Sequence, residues 1–298
     1  MDGNARTALV TGSTDGLGQY VAQALAREGF HVLVHGRDRE RAETVVAGIR
    51  EAGGIATSYL ADLSSLTGVR ALARDVQADH RRLDLLINNA GIGAVGRYPD
   101  RHVGEDGFEL RFTINYLSGF LLTHLLLEPL KACGSSRIIN VTSASQRRLS
   151  FGNVMLTDGY SGARAYGQSK LAQILFTFDL AETLQGSGVT VNCLHPGAYM
   201  NTNMVRADGL VPVGDLGEGG DAVLSLALDA RFGQESGLYL EGRAVAKANP
   251  QAYDPVAREA LRRLSLSSVR PESGWDGEER RLRAADEPDG KRVFGVTL

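Results

Sequence analysis

The chain reads as an α/β fold, a doubly wound parallel sheet with helices on both faces, and three observations predict it. Short runs rich in aliphatic and β-branched residues alternate with longer stretches of helical periodicity. Several of these runs, "TALV" and "LLI" among them, are apolar at successive positions, the mark of a strand buried on both faces. The first run leads directly into a glycine-rich segment, "TGSTDGLG", and then into a helix.

The elements follow in order. "TALVTG" is the first strand, and "LGQYVAQALAREG" is a helix stopped at Gly29. "HVLVHG" is the second strand, followed by the helix "DRERAETVVAGIREAGG". "IATSYLAD" and the helix "SLTGVRALARDVQADH" come next, then the fourth strand "LDLLINNAG". "FELRFTINYLSGFLLTHLLLEPLKA" reads as one long helix, "SRIINVTSAS" as the fifth strand. A helix to about Leu184 and the sixth strand "VTVNCLHPG" complete the alternation. Right-handed crossovers make this a single-domain Rossmann-type sheet, with ligands bound beyond the carboxyl ends of the strands. The periodicity weakens after Gly242, although "DPVAREALRRLSLSS" can form a helix. The domain is expected over residues 1–270, and 271–298 as a charged tail, mobile or draped on the surface.

The 298 residues, 43% of them hydrophobic, suffice for one domain with a large core, and a net charge of −3 gives no reason to expect nucleic acid or an anionic membrane. Cys133 and Cys193 each sit in an apolar run and read as reduced core residues. The six histidines form no cluster with metal-ligand spacing, so no metal is expected. The N-terminus carries no apolar leader, and "GFLLTHLLLEPL" is too short and too interrupted to span a bilayer. A cytoplasmic protein is expected.

In the glycine segment, Gly12, Gly16 and Gly18 let the backbone turn sharply toward a pyrophosphate at a helix N-terminus. Ser13, Thr14, Asp15 and Leu17 complete this candidate phosphate loop. An NAD site wants a carboxylate after the second strand, where this chain has "HGRD". Gly36 leaves no repelling charge, and Arg37 can pair with a 2′-phosphate, so NADP(H) is expected rather than NAD(H). Asp38 is the rival, a carboxylate that would serve NAD, and a solvent-facing Arg37 is the alternative. Asp62 can accept from the adenine amino group or cap the following helix. In "NNAG", Asn88 or Asn89 can bridge neighbouring loops, or the segment is a plain turn.

Together "TGSTDGLG", "NNAG", Asn115, Ser143, "YGQSK" and "HPG" resemble, in order and spacing, the short-chain dehydrogenase/reductase family over residues 6 to 265. "NYLSGFLLT", "SKLAQILFTFDLAETLQGSGVTVNCLHPG" and the insert "RRLSFGNVMLTDGYSGAR" are most similar to its retinol-dehydrogenase-like branch. The resemblance implies that Tyr166 protonates a substrate carbonyl, that Ser143 hydrogen-bonds that carbonyl, and that Lys170 holds the nicotinamide ribose. It implies that Asn115 holds a water linking Lys170 to solvent. It adds Leu63, Asn89, Ala90, Gly91, Pro196 and Gly197 to the cofactor contacts. A family threonine falls at Asn201 here, so its contact is carried to Thr202, one residue later. His195 reads as structural.

Tyr166 and Lys170, four residues apart, share one helix face. A free tyrosine holds its proton to about pH 10, and Lys170 with the positive nicotinamide is expected to stabilise the phenolate. A shift of about 3 units would be about 4 kcal/mol. Residues 198 to 220, with Tyr199, Met200 and Met204, read as a flexible lid over an apolar ligand, and Arg147 and Arg148 as a solvated pair or a contact for an acidic group. The expected activity is NADP(H)-dependent interconversion of a carbonyl and an alcohol on a hydrophobic small molecule. The alternatives are a non-redox dehydratase, isomerase or cyclase on the same scaffold, or an NADP-binding sensor. Family members often dimerise through two long helices, which makes a homodimer a further expectation.

Overall fold

Adjacent residues of one strand feed two different cores. Along β1 (Thr7–Val10), Ala8 and Val10 belong to one apolar cluster and Leu9 to the other. The same split divides Val32 and Val34 from Leu33 on β2 (His31–Gly36) and Leu85 and Ile87 from Leu86 on β4 (Leu85–Asn88). Side chains alternate across a strand, so a run apolar at every position needs cover on both sides.

This computed structural model describes residues 5–96 and 98–270, so the predicted tail 271–298 lies outside the described residues. With β3 (Ile55–Leu60), β5 (Ser136–Val141), β6 (Val189–His195), β7 (Tyr239–Glu241) and β8 (Ala244–Val245), the sheet has the order β3-β2-β1-β4-β5-β6-β7-β8. All neighbours are parallel except β7 and β8. The chain reverses its direction of travel across the sheet between β1 and β4, which opens a crevice at their carboxyl ends.

One face is covered by α1 (Gly16–Arg27), α2 (Arg39–Glu51) and α9 (Leu216–Leu228), through Val21, Leu25, Val45, Ile49, Val223 and Leu226. The other is covered by α3 (Leu66–Asp79), the long helical segment after it, and α7 (Gly162–Thr183). The final helix, α10 (Pro255–Ser268), packs against α7, which is therefore buried nearly all round.

The long helix departs from expectation. It comprises α4 (Leu110–Phe112), a wide π-helical turn over Thr113–Leu117, α5 (Ser118–Leu125) and α6 (Leu127–Lys131). Pro129 explains the break at Leu126, because its ring excludes the carbonyl of residue 125 from the helical ladder. The Leu125 carbonyl accepts instead from the Gln77 side chain at 2.7 Å.

The lid also differs from expectation. Its glycines serve close packing. A Cβ on Gly219 would lie 2.2 Å from the Met200 sulfur, and one on Gly220 2.1 Å from the Tyr20 ring. Here α9 begins, capped by Asp215, which accepts from the Glu218 N–H at 2.9 Å. A short α8 (Asn203–Ala207) forms the rest of the lid.

Candidate functional site

The glycine segment is fixed from three sides. Gly12 and Gly16 have φ of +65° and +50°, a backbone region open to glycine. A Cβ on Gly18 would lie 2.3 Å from the Gly12 carbonyl oxygen and 2.5 Å from the Asn89 amide nitrogen. That amide donates to the carbonyls of Thr11 at 2.8 Å and Gly12 at 3.2 Å, so Asn89 ties the end of β4 to the end of β1. His35, unused in the sequence reading, accepts from the Gly12 N–H through Nδ1 at 3.1 Å. Burial pulls its pKa down to about 4, which keeps the ring neutral and able to accept.

A cleft of about 730 Å³ runs along the carboxyl ends of the strands. Of the predicted cofactor and catalytic residues, all but Ser13 and Asn115 line it. Ser13 is fully buried and turned to the second strand, its Oγ accepting from the His35 N–H at 3.0 Å, so the expectation that it faces the cofactor is corrected. At the far end of β2, Arg37 is exposed on the cleft wall. The rival Asp38 is occupied, since its carboxylate caps α2 by accepting from the Arg41 N–H at 3.1 Å. A Cβ on Gly36 would lie 2.5 Å from the Thr14 methyl group, so the site has no room for a carboxylate there. Arg41 pairs with Asp15 at 3.0 Å. Asp62 lines the cleft and holds the turn before α3 by accepting from the Ser64 N–H at 2.9 Å. Asn88 faces away, donating to Thr123 and Asn140 at 2.9 Å each.

Ser143, at the end of β5, opens on the same cleft as Tyr166 and Lys170 of α7. The Tyr166 phenol has its pKa raised, chiefly by burial, with hydrogen bonding to Ser143 opposing the rise and the Asp208 carboxylate adding to it. The protein alone therefore does not acidify the phenol. The reason is where the ammonium points. Lys170 Nζ lies 5.7 Å from the Tyr166 ring centroid and donates to the Val141 carbonyl and the Gln173 side-chain oxygen, each at 3.0 Å. Burial pulls the Lys170 pKa down to about 7, so the ammonium is itself weakened.

Asn115 sits at the middle of the π turn. Its side-chain oxygen accepts from the Ile92 N–H at 2.8 Å, and its amide donates to the Ile92 carbonyl at 3.2 Å and to Ser169 at 2.9 Å. Both amide hydrogens are thus spent on protein, and Asn115 braces the segment after β4 against α7. A Cβ on Gly91 would meet the Asn115 oxygen at 3.1 Å and Lys170 Nζ at 3.6 Å.

On the lid side, Pro196 and Gly197 follow β6 along the cleft. Thr202 caps α8 and packs its methyl group 3.2 Å from where a Gly16 Cβ would stand. Asn203 donates to Asp15 at 2.6 Å, which joins the lid to the phosphate loop. Arg147 and Arg148 are exposed and line no part of the cleft, so the acidic-group contact is not formed from them. The cleft also contains Arg111 and Asp208, which sequence reasoning missed because both bind backbone groups.

Among the described residues no group of histidines, cysteines and carboxylates could hold a metal, and no helix is long and apolar enough to cross a membrane. The residues present do fit a dinucleotide. The loop lines the cleft at the start of α1, with left-handed backbone at Gly12 and Gly16, and the cleft holds a buried ammonium whose partners are neutral oxygens.

The comparisons with known proteins agree with this geometry. The short chain dehydrogenase family model matches residues 6–209. Retinol dehydrogenase 13 of Homo sapiens is 36% identical over 289 residues, spanning 89% of this chain and 84% of the relative. A solved structure of an uncharacterized protein from Mycobacterium paratuberculosis superposes with a TM-score of 0.73 at 30% identity, covering 89% of this chain and 93% of that one. The RhlG/NADP active-site complex of Pseudomonas aeruginosa gives 0.65 at 30% identity, covering 79% and 94%. The chain therefore belongs to the short-chain dehydrogenase/reductase family, on its retinol-dehydrogenase-like branch, and so to the oxidoreductases.

Proposed function

We propose that the protein interconverts a carbonyl and an alcohol on an apolar small molecule with NADP(H), using Tyr166 as the acid and base. The observation that carries this reading is the shared cleft, with Ser143, Tyr166 and Lys170 at one end and the glycine loop with Arg37 at the other. Three features favour NADP(H). Arg37 lies on the cleft wall, the Gly36 position has no space for a carboxylate, and Asp38 is committed to its helix cap. The apolar substrate is supported by the apolar side chains on the cleft wall, which include Ile92, Ile114, Tyr199, Met200 and Met204.

NADP(H), when bound, supplies or accepts the hydride. The protein does the rest. Ser143 orients the substrate oxygen toward the phenol. Tyr166, its pKa held up by burial, rests protonated at neutral pH, which is the state that gives a proton to a carbonyl. Oxidation of an alcohol needs the phenolate, so it should gain from alkaline pH while reduction does not. Lys170 would bind the nicotinamide ribose hydroxyls and place a positive charge beside the phenol.

A panel of apolar ketones and aldehydes assayed with NADPH and NADH tests this. Tyr166→Phe should lower turnover by about 10²-fold or more while NADPH binding persists. Undiminished turnover in that variant would overturn the reading.

A further inference from the structure

Two successive peptide groups after β4 are each held at both ends by opposite charges. The carbonyl of Gly93 accepts from Arg111 Nε at 2.7 Å, and the N–H of the same peptide group, on Ala94, donates to Asp208 at 2.8 Å. The carbonyl of Ala94 accepts from an Arg111 Nη at 2.9 Å, and its partner N–H, on Val95, donates to the other Asp208 oxygen at 3.0 Å. A guanidinium therefore faces the negative end of both dipoles and a carboxylate the positive end, so each contact strengthens the other.

The two charges come from different parts of the chain. Arg111 is fully buried in α4 and also donates to Tyr160 of the insert at 2.6 Å and to the Tyr98 carbonyl at 2.6 Å. Asp208 ends α8, the lid helix. The segment between them is glycine where the carboxylate arrives. A Cβ on Gly93 would lie 2.5 Å from one Asp208 oxygen, and one on Gly96, with φ of +45°, 3.2 Å from the other.

We propose that Asp208 is the latch of the lid, closing α8 over the reacting end of the cleft by capping the two peptide groups that Arg111 presents. Arg111 is fixed in the core and sets the target. A second tie of the lid, Asn203 to Asp15, lies at the phosphate loop, while among the described residues Asp208 holds the Tyr166 end. Asp208 is a positioning residue, since it acts on the substrate and cofactor by holding the wall that covers them. Its role in turnover rests on the function proposed above, but its role in closure does not.

The full chain carrying Asp208→Ala, Asp208→Asn or Asp208→Glu tests this. In the Ala variant, trypsin should cut after the exposed Arg206 of the lid, and NADPH should leave, each at least about tenfold faster than in the parent, the loss expected from even one of the two hydrogen bonds to a charged group. The Asn variant, which can accept only one of the two N–H groups well, should fall between, and the Glu variant should restore part of the protection. KM for a carbonyl substrate should rise by a larger factor than kcat changes, and the melting temperature should stay near that of the parent. Unchanged cutting at Arg206 overturns the proposal, and so does faster cutting that merely follows a lower melting temperature. If no carbonyl is turned over, the function above fails while the protease result still decides the latch.

Discussion

The Lys170 ammonium donates at 3.0 Å to the side-chain oxygen of Gln173, one turn along α7, and among the described residues no carboxylate pairs with it. A buried cation balanced only by neutral oxygens opposes folding, and burial brings its pKa down to about 7 from 10.5. Between those two values the unfolded chain binds more protons than the folded one, so this group's contribution to stability improves as pH rises through that window. Its penalty is complete below pH 7 and amounts to at most about 5 kcal/mol. Lys170→Met should therefore melt above the parent at pH 6 without cofactor, with the gap narrowing toward pH 10. A gap independent of pH in thermal melts would show that the ammonium is not desolvated as described.

Arg37 offers a direct test of cofactor choice. A charge-assisted contact to a 2′-phosphate is worth about 1.5–3 kcal/mol. Arg37→Ala should weaken NADPH by roughly tenfold to a hundredfold in equilibrium titrations and leave NADH nearly unchanged. An equal loss for both would place the guanidinium elsewhere than on the 2′-phosphate.

Gly18 tests the cradle. Its hydrogen points at the Gly12 carbonyl and the Asn89 amide, both fixed by the ties between β1 and β4. Gly18→Ala should cost about 1–3 kcal/mol of stability through overpacking. It should also weaken dinucleotide binding more than tenfold, an estimate on the order of one displaced charge-assisted contact. Calorimetry and cofactor titration together check it, and retention of both properties would mean that the loop is softer than its contacts indicate.

Much of the architecture is legible because the central strands β1, β2, β4 and β5 are buried on two faces while α1, α2 and α3 bury one face each. The strand ends are less so. The strands predicted from sequence run on past β4, β5 and β6 into Asn89, Ser143 and Pro196, but there the chain leaves the sheet to line the cleft, and composition alone does not mark the exit. Helix α9 is hidden by its own glycines, which pack against Tyr20 and Met200. Ser143, Tyr166 and Lys170 are readable from their order along the chain. Arg111, Asp208 and His35 are not, because their partners are main-chain groups that every residue carries. The direction of the Tyr166 shift in the protein alone is not legible from spacing for a related reason. Spacing reveals a neighbouring charge but not how far water has been excluded, and exclusion dominates here.

The wide turn at Thr113–Leu117 has a consequence for how this chain can change. It accommodates one residue more than a regular turn, and a residue in a regular helix accounts for about 100° of rotation. Deleting a single position there would yield a regular helix that keeps Phe120 and Leu121 in phase with Phe112, but it would remove the bulge from which Asn115 braces the segment after β4 against α7. Lineages descended from this sequence should therefore conserve the count of residues in the bulge.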